Sequence, residues 1–173
     1  MRSNRPLMRS PNPGRQRALD QYRLRARYYD AELLAFEPIR RQAIALLGLE
    51  VGLTVLDVGC GTGLSFELLQ QGLGPRGRIV GIEQSPEMLE RARKRVSRHG
   101  WRNVTFLNAP VEAATIRVGA DAALFHFTHD IVRNREAIGN VIRHLKPGAR
   151  VVAAGATRIR FHQLPCQNTV ILD

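Results

Sequence analysis

The sequence predicts an α/β protein built on a doubly wound, mostly parallel sheet with helices on both faces. Three observations carry that expectation. Short apolar runs of buried-strand type, such as Thr54-Val55-Leu56-Asp57-Val58, alternate with stretches whose apolar residues recur at helical spacing. Glycine or proline punctuates the junctions between them. The length of 173 residues and 44% hydrophobic content are those of one domain with its own core.

The elements follow in order. Residues 1–14, broken by Pro6, Pro11 and Pro13, read as a disordered basic tail. Leu19, Tyr22, Ala26, Tyr29 and Leu33 mark a helix from about residue 15, and Pro38 permits a second through Ile39, Ala43, Leu46 and Leu47, closed by Gly48. Residues 15–50 thus form a helical unit ahead of the sheet. The period then changes: Thr54–Val58 is the first strand, and it runs into a glycine-rich loop. A helix over 64–71 is stopped by Gly72 and Gly74. Arg78–Glu83 is the second strand. Ser85 is an N-cap with Pro86 at the first helical position, Leu89, Ala92 and Val96 form the inner stripe, and Gly100 ends that helix. Residues 104–107 and 120–127 are strands three and four. Ile138, Val141, Ile142 and Leu145 mark a helix ended by Lys146-Pro147-Gly148, and 150–155 is strand five. Strands alternating with helices give a parallel sheet covered on both faces, here over residues 51–155. Residues 156–173 form a short atypical segment with room for one further strand.

Composition narrows the function classes. Cys60 and Cys166 offer neither a disulfide framework nor a zinc quartet, so no metal is expected and a reducing cytoplasm is the expected compartment. No apolar run is long enough for a signal-peptide core or a bilayer span. The net charge is +11, with Arg2, Arg5, Arg9, Arg15 and Arg17 in the first seventeen residues and Arg23, Arg25, Arg27, Arg40 and Arg41 on the first two predicted helices. Such a field attracts phosphate-bearing partners, RNA or an anionic membrane surface. A solvated basic face is the simpler reading, because a charge excess alone names no partner.

Ligands of open parallel sheets bind beyond the C-terminal strand ends, where strand order reverses. The first strand ends there in Gly59-x-Gly61-x-Gly63, whose glycines let backbone approach a ligand. A tight turn with no ligand explains a bare glycine pattern equally well. A nicotinamide site fits poorly, since its third glycine would fall at Leu64. Asp57 before the loop and Glu83 at the end of strand two strengthen the ligand reading: Glu83 stands where a ribose would present its hydroxyls, and Asp57 needs donors if buried.

These residues resemble a known family. Val55-Leu56-Asp57-Val58-Gly59-Cys60-Gly61-Thr62-Gly63 is similar to the first signature of class I S-adenosylmethionine-dependent methyltransferases. Gly81-Ile82-Glu83-Gln84-Ser85 with Met88-Leu89 resembles the second, and Phe106-Leu107-Asn108-Ala109-Pro110-Val111-Glu112 the third, with Asn108 in place of the usual acid. Leu145-Lys146-Pro147-Gly148 resembles the turn before strand five. The resemblance covers residues 20–155 and implies a Rossmann-like fold with S-adenosyl-L-methionine as cofactor. It implies that Asp57, Gly59, Cys60, Gly61 and Gly63 hold the methionine end, Glu83, with Gln84 and Met88, the ribose, Asn108 and Ala109 the adenine, and that Phe125 lines the methyl side. His126, ahead of His129, is the candidate base, beside the reading that it is structural. Cys60 reads as a small packing residue rather than a nucleophile. Tyr28-Tyr29-Asp30 resembles the Tyr-Asp element that lids the cofactor in ubiquinone/menaquinone and phospholipid methyltransferases, making residues 15–50 a helical lid and Tyr29 a second candidate; packing of Tyr29 against Leu33 explains it equally well.

The leading expectation is methyl transfer to a small molecule, lipid or quinone-like. Others are an RNA methyltransferase using the basic N-terminal region, which lacks an Asn/Asp-Pro-Pro-aromatic tetrad after strand four, and a non-catalytic cofactor-binding module. The family's helix and antiparallel hairpin beyond strand five do not fit in the eighteen residues after Gly155, so the C-terminal strands are expected to be truncated.

Overall fold

A computed structural model describes residues 33–155 and 169–172. Its sheet has six strands in the order β3-β2-β1-β4-β5-β6. They are β1 (Thr54–Val58), β2 (Arg78–Glu83), β3 (Val104–Asn108), β4 (Ala120–His126), β5 (Leu145–Ala154) and β6 (Thr169–Leu172), and every neighbouring pair is parallel. The helices are α1 (Glu37–Leu46), α2 (Phe66–Leu73), α3 (Pro86–His99), α4 (His129–Arg133) and α5 (Arg135–Ile142), with 3-10 turns at Leu33–Phe36 and Val111–Ala113. Strand order reverses between β1 and β4, so the crevice of this fold opens above their C-terminal ends.

Period-two alternation sorts the strands' side chains into two apolar layers. Val55, Ile79, Ala122, Leu124 and Val152 pack under α1, α2 and α3 through Ala43, Leu47, Phe66, Leu69 and Leu89. Leu56, Val58, Ile82, Phe125 and Val151 pack on the other face against Val111, Ile116, Ala137 and Val141. Buried amides tie the loops to this frame. Asn140 donates to the carbonyls of Val111 and Ala114, and Asn103 to those of Gly74 and Gly77. The α3 N-terminus is capped as its sequence predicts, with the Ser85 hydroxyl accepting from the Met88 N–H at 3.2 Å and Gly100 left-handed at the other end.

Several expectations need correction. The helix after the glycine loop begins at Phe66, because residues 61–65 continue as turns. The Lys146-Pro147-Gly148 stretch does not precede strand five but lies within it: β5 pairs from Leu145 opposite Ala120, with an irregularity before Arg150 meets Ala122. A short helix, α4, follows β4 over residues to which the sequence reading assigns no element. The C-terminal segment supplies β6, which pairs in parallel with Val151–Ala154 and covers that stretch of β5. The basic tail, the helix from residue 15 and Tyr29 lie outside the described residues.

Candidate active site

The glycine loop is shaped by the strand beside it. The N–H groups of Gly59 and Cys60 both donate to the Ile82 carbonyl, at 2.8 and 3.0 Å, which folds the loop back over the end of β2. Gly59 has φ 72 and Gly63 φ 76. A Cβ on Gly59 would lie 2.5 Å from Thr128 Cγ2, and one on Gly63 would lie 2.6 Å from the Phe66 ring. Conformation and space both demand glycine there.

Glu83 clamps this loop to its own strand. Its Oε2 accepts from Gly61 N–H at 3.1 Å and its Oε1 from Ser85 N–H at 2.8 Å. The carboxylate keeps lone-pair capacity for a further donor. Burial pushes the Glu83 carboxyl above its ordinary range, against the pull of those N–H groups. On the next strand, Asn108 donates through Nδ2 to the carbonyls of Glu83 and Gln84, at 3.0 and 3.1 Å, leaving its amide oxygen for other donors.

Asp57, at the end of β1, is only 2% exposed, and its Oδ2 has no hydrogen-bond partner among the described residues. Burial pushes its pKa up to about 7; the Arg40 guanidinium pulls it down and Glu83 pushes it further up. Across the crevice, His126 closes β4. Its Nε2 is buried with no partner among the described residues, and burial together with Arg40 holds its pKa down to about 4, so the ring is neutral at pH 7. The Cys60 thiol is raised well above its ordinary range by burial and by the Asp57 and Glu83 carboxylates, so it carries no thiolate.

A cleft of about 350 Å³, counted out to its open mouth, joins these groups. Asp57, Gly59, Cys60 and Gly61 form its inner wall, and Arg40, His126 and Phe127 stand among the residues facing them. Phe127 has φ 57, a left-handed backbone rare for an aromatic residue, and its ring meets Phe36 edge-on at 4.9 Å. The sequence reading missed Arg40 and Phe127. Arg40 was grouped with a solvated basic face, yet it is 2% exposed. The signal was available: positions 40, 43, 44 and 47 share the inner stripe of α1, whereas Arg41 points outward with its side chain 64% exposed. Phe125, assigned to the methyl side, is instead packed with Val58 and Ile82 in the opposite layer, because alternation turns His126 rather than Phe125 toward the crevice. Met88 is buried at the start of α3, and Gln84 and Ala109 sit half-buried at the ends of β2 and β3.

A methyltransferase-domain family model matches residues 49–166, which include every cleft residue named above except Arg40. The chain belongs to that family, the class I S-adenosylmethionine-dependent methyltransferases. Relatives of this methyltransferase domain include an arsenite methyltransferase of Halobacterium salinarum, 30% identical over 62% of this chain and 28% of its own length. A demethylmenaquinone methyltransferase of Lactococcus lactis is 30% identical over 65% of this chain and 46% of its own. The chain therefore spans less than half of the length of these two curated relatives. A crystal structure of a SAM-dependent methyltransferase from Aquifex aeolicus superposes with a TM-score of 0.58 at 28% identity, covering 65% of this chain and 61% of that one.

Family membership implies S-adenosylmethionine as cofactor, and the residues present fit it. A loop whose glycines carry no side chains toward the crevice and a carboxylate on the neighbouring strand answer an adenosyl group, and a buried carboxylate oxygen with no partner among the described residues answers an ammonium.

Proposed function

We propose that this methyltransferase domain moves a methyl group from S-adenosylmethionine to a small-molecule acceptor. One observation carries the reading most directly: Glu83 and the Gly59–Gly63 loop are joined by a hydrogen bond at the strand-order reversal, with Asp57 beside them. Bound S-adenosylmethionine supplies a methyl already activated on a sulfonium. What the chain must add is placement. Glu83 accepts from the ribose hydroxyls through the lone pairs left by its backbone contacts. Asp57 accepts from the amino-acid ammonium, and the amide oxygen of Asn108 accepts from the adenine amine. Gln84, Ala109 and the start of α3 at Met88 border the nucleoside. His126, neutral and with Nε2 unpartnered among the described residues, offers a hydrogen-bond partner or proton acceptor on the acceptor's side.

A small, partly apolar acceptor is favoured by the aromatic wall that Phe127 gives the cleft, its ring backed by Phe36. The relatives named for arsenite and demethylmenaquinone support small acceptors of varied chemistry. Within that range a quinone-like ring suits the aromatic wall best, and the Tyr29 lid rests on its sequence alone. The test is calorimetry with S-adenosylhomocysteine, followed by transfer of labelled methyl to quinols, small carboxylic acids and RNA. Measurable binding and label on a small molecule are expected; no heat at high protein concentration, or label on RNA alone, would overturn the reading. Glu83→Ala should weaken S-adenosylhomocysteine binding by about tenfold, the loss of a hydrogen bond to a charged group, and an unchanged affinity would remove the ribose assignment.

A further inference from the structure

Cations gather at the foot of the sheet, opposite the crevice. The strands are parallel, so their C-terminal ends carry the glycine loop and Glu83, while their N-terminal ends lie about 16 Å away along β2. Asn103 ties part of that foot together: its Nδ2 donates to the carbonyls of Gly74 and Gly77, and its own carbonyl accepts from the Ile79 N–H at 3.0 Å. This places the turn bearing Arg76 against the one bearing Arg102, with Arg98 at the end of α3 beside them and Arg78 opening β2 on the same rim. All four side chains are exposed, and none makes an ion pair among the described residues. Residues 68–82 and 91–111 contain no Asp or Glu. Of the acids at this end, Asp121 is held by Lys146 at 2.7 Å and by the Thr54 N–H, which leaves Glu50 against the arginines.

The dipole of α3 favours Arg98 in its last turn, but Arg76, Arg78 and Arg102 stand outside helices and have no such cause. An exposed charge cluster by itself names no partner; the rings beside it narrow the choice. The exposed His99 ring lies flat on Trp101, with centroids 4.4 Å apart and planes 12° from parallel, and Trp101 is itself packed against the core. A rigid ring stack flanked by guanidinium groups suits a strand whose bases stack while its phosphates meet arginine. A lipid surface needs exposed apolar side chains beside the charge, and among the described residues the large one is Val51 alone.

We propose that the foot of the sheet, with Arg76, Arg98 and Arg102 around the His99–Trp101 stack, is a docking surface for single-stranded nucleic acid. The arginines take the phosphates and His99 takes a base. Because the crevice opens at the other end of the strands, a strand held here tethers the domain and is not its methyl acceptor. The inference is therefore independent of the acceptor proposed above.

Binding of a fluorescein-labelled 12-nucleotide single-stranded RNA to the full chain, followed by anisotropy across a salt series, tests this. Changing Arg76, Arg98 and Arg102 together to Gln should weaken binding at least tenfold at about 0.1 M salt and reduce the slope of log affinity against log salt by about 2. Each single change should already cost several-fold, so the result does not hang on the triple variant staying folded. His99→Ala should weaken binding by about fivefold or more, and His99→Phe, which keeps a ring without a charge, should restore it. Affinity for S-adenosylhomocysteine should be unchanged in all of them. The arginines of the first seventeen residues also attract phosphate, so the same losses should recur when Arg2, Arg5, Arg9, Arg15 and Arg17 are changed to Gln. Wild-type RNA affinity in the triple variant would assign the attraction to those N-terminal arginines and overturn the proposal. An RNA duplex held as tightly as the single strand would remove the stacking role and overturn it too. So would retention on phosphatidylglycerol vesicles by a chain that does not bind the strand, which would give the patch to a membrane.

Discussion

Because Asp57 releases its proton only near pH 7, its contribution to an ammonium-bearing ligand depends on pH over the range where binding is measured. The ligand engages the carboxylate form, so the apparent dissociation constant scales inversely with the fraction ionised. From pH 6 to pH 8 that fraction rises about tenfold for a group of pKa near 7. S-adenosylhomocysteine should accordingly bind about tenfold more tightly at pH 8, and Asp57→Asn should bind weakly with the slope gone. His126 gives a second reading of the same charges. Burial and the Arg40 guanidinium hold it at about 4, with Asp57 the acidic neighbour in the cleft. An anionic ligand group in the cleft would offset that positive charge, and the His126 pKa should move upward. Histidine ring signals followed by NMR should show the rise with S-adenosylhomocysteine but not with 5′-methylthioadenosine, which has no amino-acid end. Equal shifts with both would mean that desolvation, not Arg40, governs the ring. Such couplings were not legible beforehand. Asp57 and Glu83 announced themselves by their place at strand ends, whereas Arg40 stands out from the other arginines only when it is set on the same helical stripe as Ala43, Ile44 and Leu47.

Among the elements, the glycine loop is the most exacting. Gly63 combines φ 76 with a Cβ position 2.6 Å from the Phe66 ring. Gly63→Ala should therefore lower stability by about 1–3 kcal/mol, seen as a reduced midpoint in thermal unfolding, with cofactor affinity reduced in step. A wild-type melting curve would mean that Phe66 and the loop yield more easily than their packing indicates. The strands and α3 were readable because their determinants are local: an apolar run, a serine cap, a proline at the first turn, a glycine stop. The start of α2 was not, since the turns through 61–65 are set by backbone hydrogen bonds such as Gly63 N–H to the Cys60 carbonyl. Phe127 escaped for a similar reason. Its left-handed backbone and its contact with Phe36 join positions far apart in the chain, and nothing in the run His126-Phe127-Thr128 signals either.

For the molecule as a whole, the order of strands settles what β6 contributes. It pairs with Val151–Ala154 at the sheet edge, away from β1 and β2, where the glycine loop and Glu83 sit. Ending the chain after Gly155 should lower the unfolding midpoint and promote association through the bared edge of β5, while S-adenosylhomocysteine affinity stays within about threefold of the full chain. A large loss of affinity would show that the C-terminal segment reaches the crevice. The doubly wound sheet was legible from alternation alone; a parallel sixth strand was not, because the sequence after Gly155 has neither a clear period nor a recognisable turn. The cleft itself is assembled from Arg40, which precedes the first strand, and from His126 and Phe127, which follow the fourth. During synthesis, then, a growing chain could not grip its cofactor on emergence of the glycine loop. It would have to wait until His126 and Phe127 had cleared the ribosome's exit tunnel, so cofactor capture would come late in the life of the nascent polypeptide.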